Sequence, residues 1–429
     1  MNKSILNKIL ITLAFLFAYR MLSYVPVPGV DAEVLKRIFD SNASNALGLF
    51  NMFSGNALER VSIISLGIMP YITASIIMEL LSATFANIGK MKKERDGMQQ
   101  YMQIIRYLTI FITIVQAISV SYGLQSIDGG SAIMLHNMTL FVSIAVVSML
   151  AGTMLLMWIG EQITQRGVGN GISLIIFAGI VSGIPGAIGA EFSAVSENEK
   201  SIFQLLLVLA VILITVFVII YVELGERRVP ISYARKVIMQ NQHKRIMNYI
   251  PIKINLSGVI PPIFASALLV FPSTILQQFA GKQVAENQAN SDSWLVIIAD
   301  YISPSSYFYN ILMFIFIIFF AYFYSSIVFN AKDIADNLKR QNGYIPGLRP
   351  GENTASYLNK VAGHLTFWGA LYLAIISTIP WILLKGIGVH FVFGGTSVLI
   401  VVQVAIDTMR KIEAQLYTSK YQTLSAVGI

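Results

Sequence analysis

Ten stretches of the chain run apolar, at roughly 6–25, 66–85, 104–124, 137–159, 171–190, 202–224, 255–278, 308–330, 363–384 and 394–412. Most are near the ~20 residues a helix needs to cross a bilayer core. They run apolar rather than alternating with period two, as the strands of a barrel would. The pattern predicts an all-α polytopic membrane protein of ten transmembrane helices.

One stretch breaks the pattern. From Asn51 to Leu81 the chain reads NMFSGNALERVSIISLGIMPYITASIIMELL. Leu66 to Leu81 is apolar but short of a full span. Ahead of it stand Ser54, Gly55, Asn56, Glu59 and Arg60. A charged group at mid-membrane costs roughly 2.5–3.5 kcal/mol on insertion scales. Met52 to Ser65 is therefore expected inside protein or in a wet cavity at membrane depth, where irregular backbone is tolerated. Gly67 and Pro70 are expected to break and restart the helix. A half-helix behind a polar plug implies a cavity or a pore.

A second stretch resembles the first. Gly67 to Ser75 reads GIMPYITAS and Gly258 to Ser266 reads GVIPPIFAS, with five of nine positions identical. Gly/Pro-interrupted segments at matching places in two halves mark the binding or conduction site of duplicated membrane proteins. Placing loops alternately puts 23 of the 30 Lys and Arg on the side of both termini, and 7 on the other. By the positive-inside rule both termini are cytoplasmic. The two motifs then run antiparallel, as an inverted repeat of five plus five segments requires, with halves at about 1–190 and 191–429. The Gly-rich fifth segment, with Gly179, Gly183, Gly186 and Gly189, is expected to make close helix contacts.

Composition agrees. Of 429 residues 55% are hydrophobic and 12% charged, and the mean hydropathy is +0.67. Soluble domains carry about 25% charged residues. Cysteine is absent, which excludes disulfides, thiol nucleophiles and iron–sulfur ligation. The N-terminal 22 residues resemble a signal peptide, but no small-x-small cleavage site follows, so they are read as an uncleaved first span.

No enzyme is legible. His136, His243, His364 and His390 show no metal-ligand spacing, and there is no phosphate-binding loop and no nucleophile elbow. The Gly-rich run from Gly160 to Gly171 lacks the lysine of a phosphate cradle, and is expected to pack tightly at a helix start. Glu161 and Arg166 are expected to shape that loop. No cofactor and no metal are expected, and energy must come from outside the chain. A secondary transporter also uses broken helices, but usually keeps ionisable groups near the midplane. Arg20, Glu79 and Asp407 fall near segment ends instead, which favours a passive pore sealed by apolar groups. A membrane scaffold does not explain the plug.

Two cytoplasmic loops are long, about 225–253 and 331–363. The Pro/Gly frame Tyr344-Ile-Pro-Gly-Leu-Arg-Pro-Gly351 is expected to hold Arg349 on a stiff exposed tip, suited to a docking partner.

Seven blocks along the chain, in order, resemble the SecY family, the pore subunits of the bacterial protein-export channel. They are Val27-Pro-Gly-Val-Asp31, Asn51-Met-Phe-Ser-Gly55, Leu66-Gly-Ile-Met-Pro-Tyr-Ile72, the run Gly160 to Gly171, Gly258-Val-Ile-Pro261, Pro346 to Glu352 and Phe393-Gly-Gly-Thr-Ser397. The resemblance implies an hourglass pore between the halves, closed by an aliphatic ring at Ile68, Ile72, Ile176, Ile263 and Ile400. It implies a plug at about 50–64, including Asn51, Met52, Phe53, Ser54, Gly55, Glu59 and Arg60. A lateral gate for signal sequences is implied between the second and seventh segments, at Thr73, Ile76, Ile77, Ala267 and Phe271. Docking is implied at Arg235, Lys236, Lys244, Arg245 and Arg349. Relatives carry a further basic pair after the Tyr-Ala of the first long loop, whereas here Tyr233-Ala-Arg-Lys is followed by Val-Ile-Met-Gln-Asn-Gln. The implied partners are SecE, SecG, the SecA motor ATPase, the ribosome, signal sequences with unfolded preproteins, and the lipid of the bacterial inner membrane.

Overall fold

The computed structural model describes residues 3–31, 34, 57, 60–126, 133–134, 137–196, 201–233, 248–285, 297–298, 301–303, 306–387 and 395–426. Each apolar segment becomes a helix. In chain order these are α1 (Lys3–Leu22), α2 (Met69–Thr84), α4 (Arg95–Ser126), α5 (Met138–Arg166), α6 (Gly171–Ser196), α7 (Ile202–Leu224), α8 (Ile260–Ala285), α9 (Tyr307–Val328), α11 (Glu352–Ile387) and α12 (Gly395–Ala426). Two short helices, α3 (Ala86–Lys93) and α10 (Ala331–Arg340), lie between them. Among the described residues seven helices are long and apolar enough to cross a membrane. The other three are α2, α8 and α12. Helix α2 spans 16 residues and the chain bends by 116° into α3, while α8 offers only Ile260–Leu269 as a described apolar run.

Several helices overshoot their apolar segments. α4 starts at Arg95, α5 runs to Arg166, α11 starts at Glu352 and α12 runs to Ala426. All four extensions lie on the side assigned to the cytoplasm. Apolar length measures the bilayer, whereas helix propagation continues into water once nucleated. α6 likewise continues past the expected half-boundary at 190 to Ser196. Its Gly186 and Gly189 face open space, so the close contact expected there is not made at these two positions.

The described parts of the two long loops are more ordered than their sequence suggests. Strands β1 (Glu226–Tyr233), β2 (Asn248–Lys253) and β3 (Gly343–Tyr344) form an antiparallel sheet in the order β2-β1-β3, with Glu226 opposite Lys253 and Ser232 opposite Tyr344. Of the expected loop 331–363, α10 takes the first part and α11 the last. Asn330 caps α10, its Oδ1 accepting from the Lys332 and Asp333 N–H groups at 3.2 and 3.3 Å. A small second core of Val229, Ile252, Ala331, Ile345 and Leu358 lies beneath the sheet.

The main core runs through the bundle. α8 packs on α2 and α4 across one flank of the two halves, while α12 packs on α6 and α1 across the other. The outer faces of α1, α7 and α9 present Leu10, Phe17, Leu213, Phe217, Ile311 and Phe319 outward. In a multi-pass membrane protein such a surface is open to lipid or to other membrane-embedded chains.

Candidate functional site

The site is built on two helix starts. Gly67 precedes α2 with φ +57° and Gly258 precedes α8 with φ +66°, left-handed values that glycine adopts without a Cβ penalty. Each is followed by a proline in the first turn, Pro70 and Pro261, where the missing N–H has no intrahelical partner to lose. The matching motifs thus perform the same local act in both halves, which ends an irregular entry and launches a helix. The two launched helices lie against each other.

The entry to α2 is buried. Val61, Ser62, Ile64, Ser65, Leu66 and Ile68 are enclosed by protein, so this stretch avoids lipid as expected. It is tied to the chain following α1. The Val27 N–H donates to the Val61 carbonyl at 2.9 Å, and the Ile63 N–H donates to the Val25 carbonyl at 3.0 Å. On its other side it rests on α5 at Gly152, where a Cβ would overlap the Ile63 carbonyl. Arg60 stacks over the Tyr24 ring, its guanidinium carbon 4.3 Å from the centroid, and Arg20 flanks the same ring at 5.2 Å. The hydrogen bond from Arg60, reinforced by the charge of Arg20, holds the Tyr24 phenol below its usual pKa. Asn51, Met52, Phe53, Ser54, Gly55 and Glu59 lie outside the described residues.

The five isoleucines come from both halves and are brought into one core. Ile68 and Ile72 stand at the start of α2, Ile176 on α6, Ile263 on α8 and Ile400 on α12, all buried in the same apolar cluster. Of the expected gate residues, Thr73, Ile76 and Ala267 are buried on the α2 and α8 side of that core. Ile77 points outward, 37% exposed, and the Phe271 side chain lies outside the described residues.

The Gly-rich run is a packing loop. A Cβ at Gly171 would overlap the Gly160 carbonyl, and one at Gly167 would overlap the Thr12 hydroxyl of α1. The Val168 N–H donates to Thr12 Oγ1 at 3.0 Å, and the Gly171 N–H donates to Thr164 Oγ1 at 2.9 Å. Glu161 corrects its expected role. It turns to α4, accepting from Arg106 through both oxygens at 3.0 and 2.9 Å, so it joins two helices.

Residues 62–409 match the protein family described as SecY. A curated relative from Helicobacter pylori, named Protein translocase subunit SecY, is 71% identical over 430 residues, covering 100% of both chains. The chain belongs to the SecY family. The Escherichia coli K12 protein of the same name is 40% identical over 418 residues, 97% of this chain and 93% of that relative. Among solved structures, one described as "The structure of a protein conducting channel" superposes with a TM-score of 0.68 at 18% identity, covering 96% of this chain and 93% of that one. Sec61 in the canine ribosome-channel complex superposes with a TM-score of 0.63 at 16% identity, covering the same shares. The fold is that of the SecY and Sec61 channels.

In this SecY-family chain the expected docking residues lie on the loops between α7 and α8 and between α9 and α11. Gly347 and Gly351 bracket Arg349 with φ +85° and +107°, and Thr354 Oγ1 donates to the Arg349 carbonyl at 3.0 Å. Ile345 is buried in the second core at the foot of the tip, and Arg349 itself is exposed. The Pro/Gly frame thus ends in an exposed Arg349. Arg235, Lys236, Lys244 and Arg245 lie outside the described residues. One group that sequence reasoning missed is Glu223, a buried carboxylate at the end of α7 whose Oε1 accepts from Asn255 Nδ2 at 2.7 Å. Its position closing a long apolar run gave it the look of a boundary residue.

Proposed function

We propose that this chain is the central pore subunit of a Sec translocon, a passive protein-conducting channel. Unfolded polypeptides pass through it for secretion, and membrane segments leave it sideways into the bilayer. The observation that carries this reading is the pair of helices α2 and α8, each launched by a left-handed glycine, packed together beside five buried isoleucines drawn from both halves. An apolar constriction seals a pore by dewetting. It also yields to any passing side chain, since it makes no specific hydrogen bonds.

Ile68, Ile72, Ile176, Ile263 and Ile400 form the ring. Residues of about 50–64 form the plug, whose trailing end is the buried entry to α2. The gate lies between α2 and α8, and the halves meet between α6 and α7. Both termini are cytoplasmic in a bacterial inner membrane. SecE and SecG accompany the chain in the bilayer, and SecA or a ribosome docks on the sheet, on the 234–247 segment and on the Arg349 tip. Catalysis is left to those partners.

Depleting the chain in its host should cause a signal-bearing reporter to accumulate uncleaved in the cytoplasm. Supplying the chain with its small subunits and the motor in liposomes should restore transport. Unimpaired secretion after depletion overturns the reading.

A further inference from the structure

The start of α8 is clamped from three sides. The Ile254 N–H donates to the Gly225 carbonyl beyond the end of α7 at 3.2 Å. α11 presses on the same stretch through Gly369, where a Cβ would stand 2.9 Å from the Ile254 carbonyl oxygen and 3.5 Å from Asn255 Cα. α12 closes the third side. Arg410 donates to the Glu223 main-chain carbonyl at 3.1 Å, Asp407 sits 3.6 Å from the Lys253 ammonium, and Gln403 Nε2 lies beside Gly258.

At the centre of the clamp is a buried side-chain pair. Glu223 is 3% exposed and Asn255 2% exposed. Asn255 uses all four of its hydrogen-bonding positions. Its amide donates to Glu223 Oε1 at 2.7 Å and to the Gly258 carbonyl at 3.2 Å, and its oxygen accepts from the Gly258 N–H and the Ser257 hydroxyl, both at 3.1 Å. Asn255 therefore grips both backbone groups of the one residue whose left-handed conformation launches α8. The corresponding glycine of the other half is held differently, the Gly67 N–H donating to the Ile64 main-chain carbonyl at 2.8 Å.

We propose that Glu223 and Asn255 are a latch on the gate helix α8, with Gly258 as its hinge. Glycine is the residue that can rotate between left-handed and right-handed backbone at least cost, and hinges concentrate at such positions at element ends. With α8 packed on α2 and α4, the closed arrangement of the proposed gate, the latch is made. Displacing α8 rotates Gly258 and strips Asn255 from it, leaving a buried amide and a buried carboxylate short of partners. Hydrogen bonds to a charged group are the costly ones to lose in that way. Glu223 and Asn255 are thus positioning residues that hold the resting gate shut. The proposal rests on the channel reading above.

The test is reciprocal. Asn255→Asp keeps the shape and the acceptor toward Gly258 and Ser257, but it faces Glu223 with a second carboxylate and removes both donors. In the full translocase it should raise export of a reporter with a disabled signal sequence by about tenfold or more. It should also slow disulfide formation between cysteines placed on α2 and α8, with the intact-signal reporter exported normally. Combining it with Glu223→Gln restores the bond between the two side chains with donor and acceptor exchanged, though not the donor to the Gly258 carbonyl, and should move both readouts back toward the parent level. Should Asn255→Asp fail to accumulate, Glu223→Ala with Asn255→Ala supplies the same readouts without a new charge. Equal loss of both reporters overturns the latch in favour of a structural role, as does an unchanged gate at normal abundance or a double variant no closer to the parent. Normal secretion in cells depleted of the chain would instead sink the channel reading itself.

Discussion

Alanine at Gly152 tests whether the plug is seated by backbone contact with α5. The added Cβ would overlap the Ile63 carbonyl and come within 3.2 Å of the Ile64 nitrogen. Neither atom is the far end of a flexible side chain. The Ile63 N–H is already held by Val25, the Ile64 N–H accepts no slack because Ser62 Oγ takes it at 3.1 Å, and Gly67 is fixed by its turn. The segment must therefore shift as a unit. Overpacking of this kind costs typically about 1–3 kcal/mol. If it falls on the seated plug alone, the ratio of displaced to seated plug rises by roughly 5- to 150-fold. Planar-bilayer recordings of the purified channel should show raised resting conductance with near-normal abundance and export. Gly171→Ala is the contrast, since its Cβ would overlap the Gly160 carbonyl in the packing loop, away from the plug. It should lower abundance and leave the conductance of surviving channels unchanged. Parent-like conductance in Gly152→Ala, or an equal leak from both variants, would refute the reasoning.

Three further outcomes are expected. Small or polar replacements at Ile72, Ile176, Ile263 and Ile400 should raise resting conductance, most in combination and with 51–62 deleted, while export persists; bilayer recordings check it, and a tight combined mutant removes the ring. Because the chain has no cysteine, pairs placed between Thr73–Met78 and Ala267–Phe271 should include one that oxidises, given Cα separations below about 7 Å, and that blocks export until reduced; efficient cross-linking without a block would move the exit elsewhere. Arg349→Glu should leave abundance intact and cripple motor-driven transport into vesicles, because an exposed cation is reversed; normal transport at normal abundance discards the tip as a docking point.

The helices were legible because bilayer length and apolar runs are local properties of the chain. The break points were legible for the same reason, since Gly67 with Pro70 and Gly258 with Pro261 act on their own backbone. The sheet was not. Pro230 and Pro251 sit inside β1 and β2 among Arg227, Arg228 and Lys253, and short basic proline-bearing stretches read as loops even though Ile250 and Ile252 alternate. Partners distant in sequence were also hidden. Glu161 looked like part of its own loop until Arg106, 55 residues earlier, was seen to fill its carboxylate. Glu223 and Asn255 are 32 residues apart, and neither has a neighbour in sequence that announces the pair. The five isoleucines are indistinguishable from other core aliphatics by pattern, and only the motif blocks around them singled them out.

The three-stranded sheet and α8 share one short piece of chain. β2 ends at Lys253 and α8 begins at Ile260, leaving six residues that could span at most about 20 Å if fully drawn out. Those residues are not slack, being bonded to Gly225 and wedged against Gly369. β2 in turn is zipped to β1, which leaves α7 within two residues. Along those six residues a load on the sheet meets one rotatable point, Gly258, before it reaches α8. On the channel reading, the sheet is a lever arm whose pivot is Gly258.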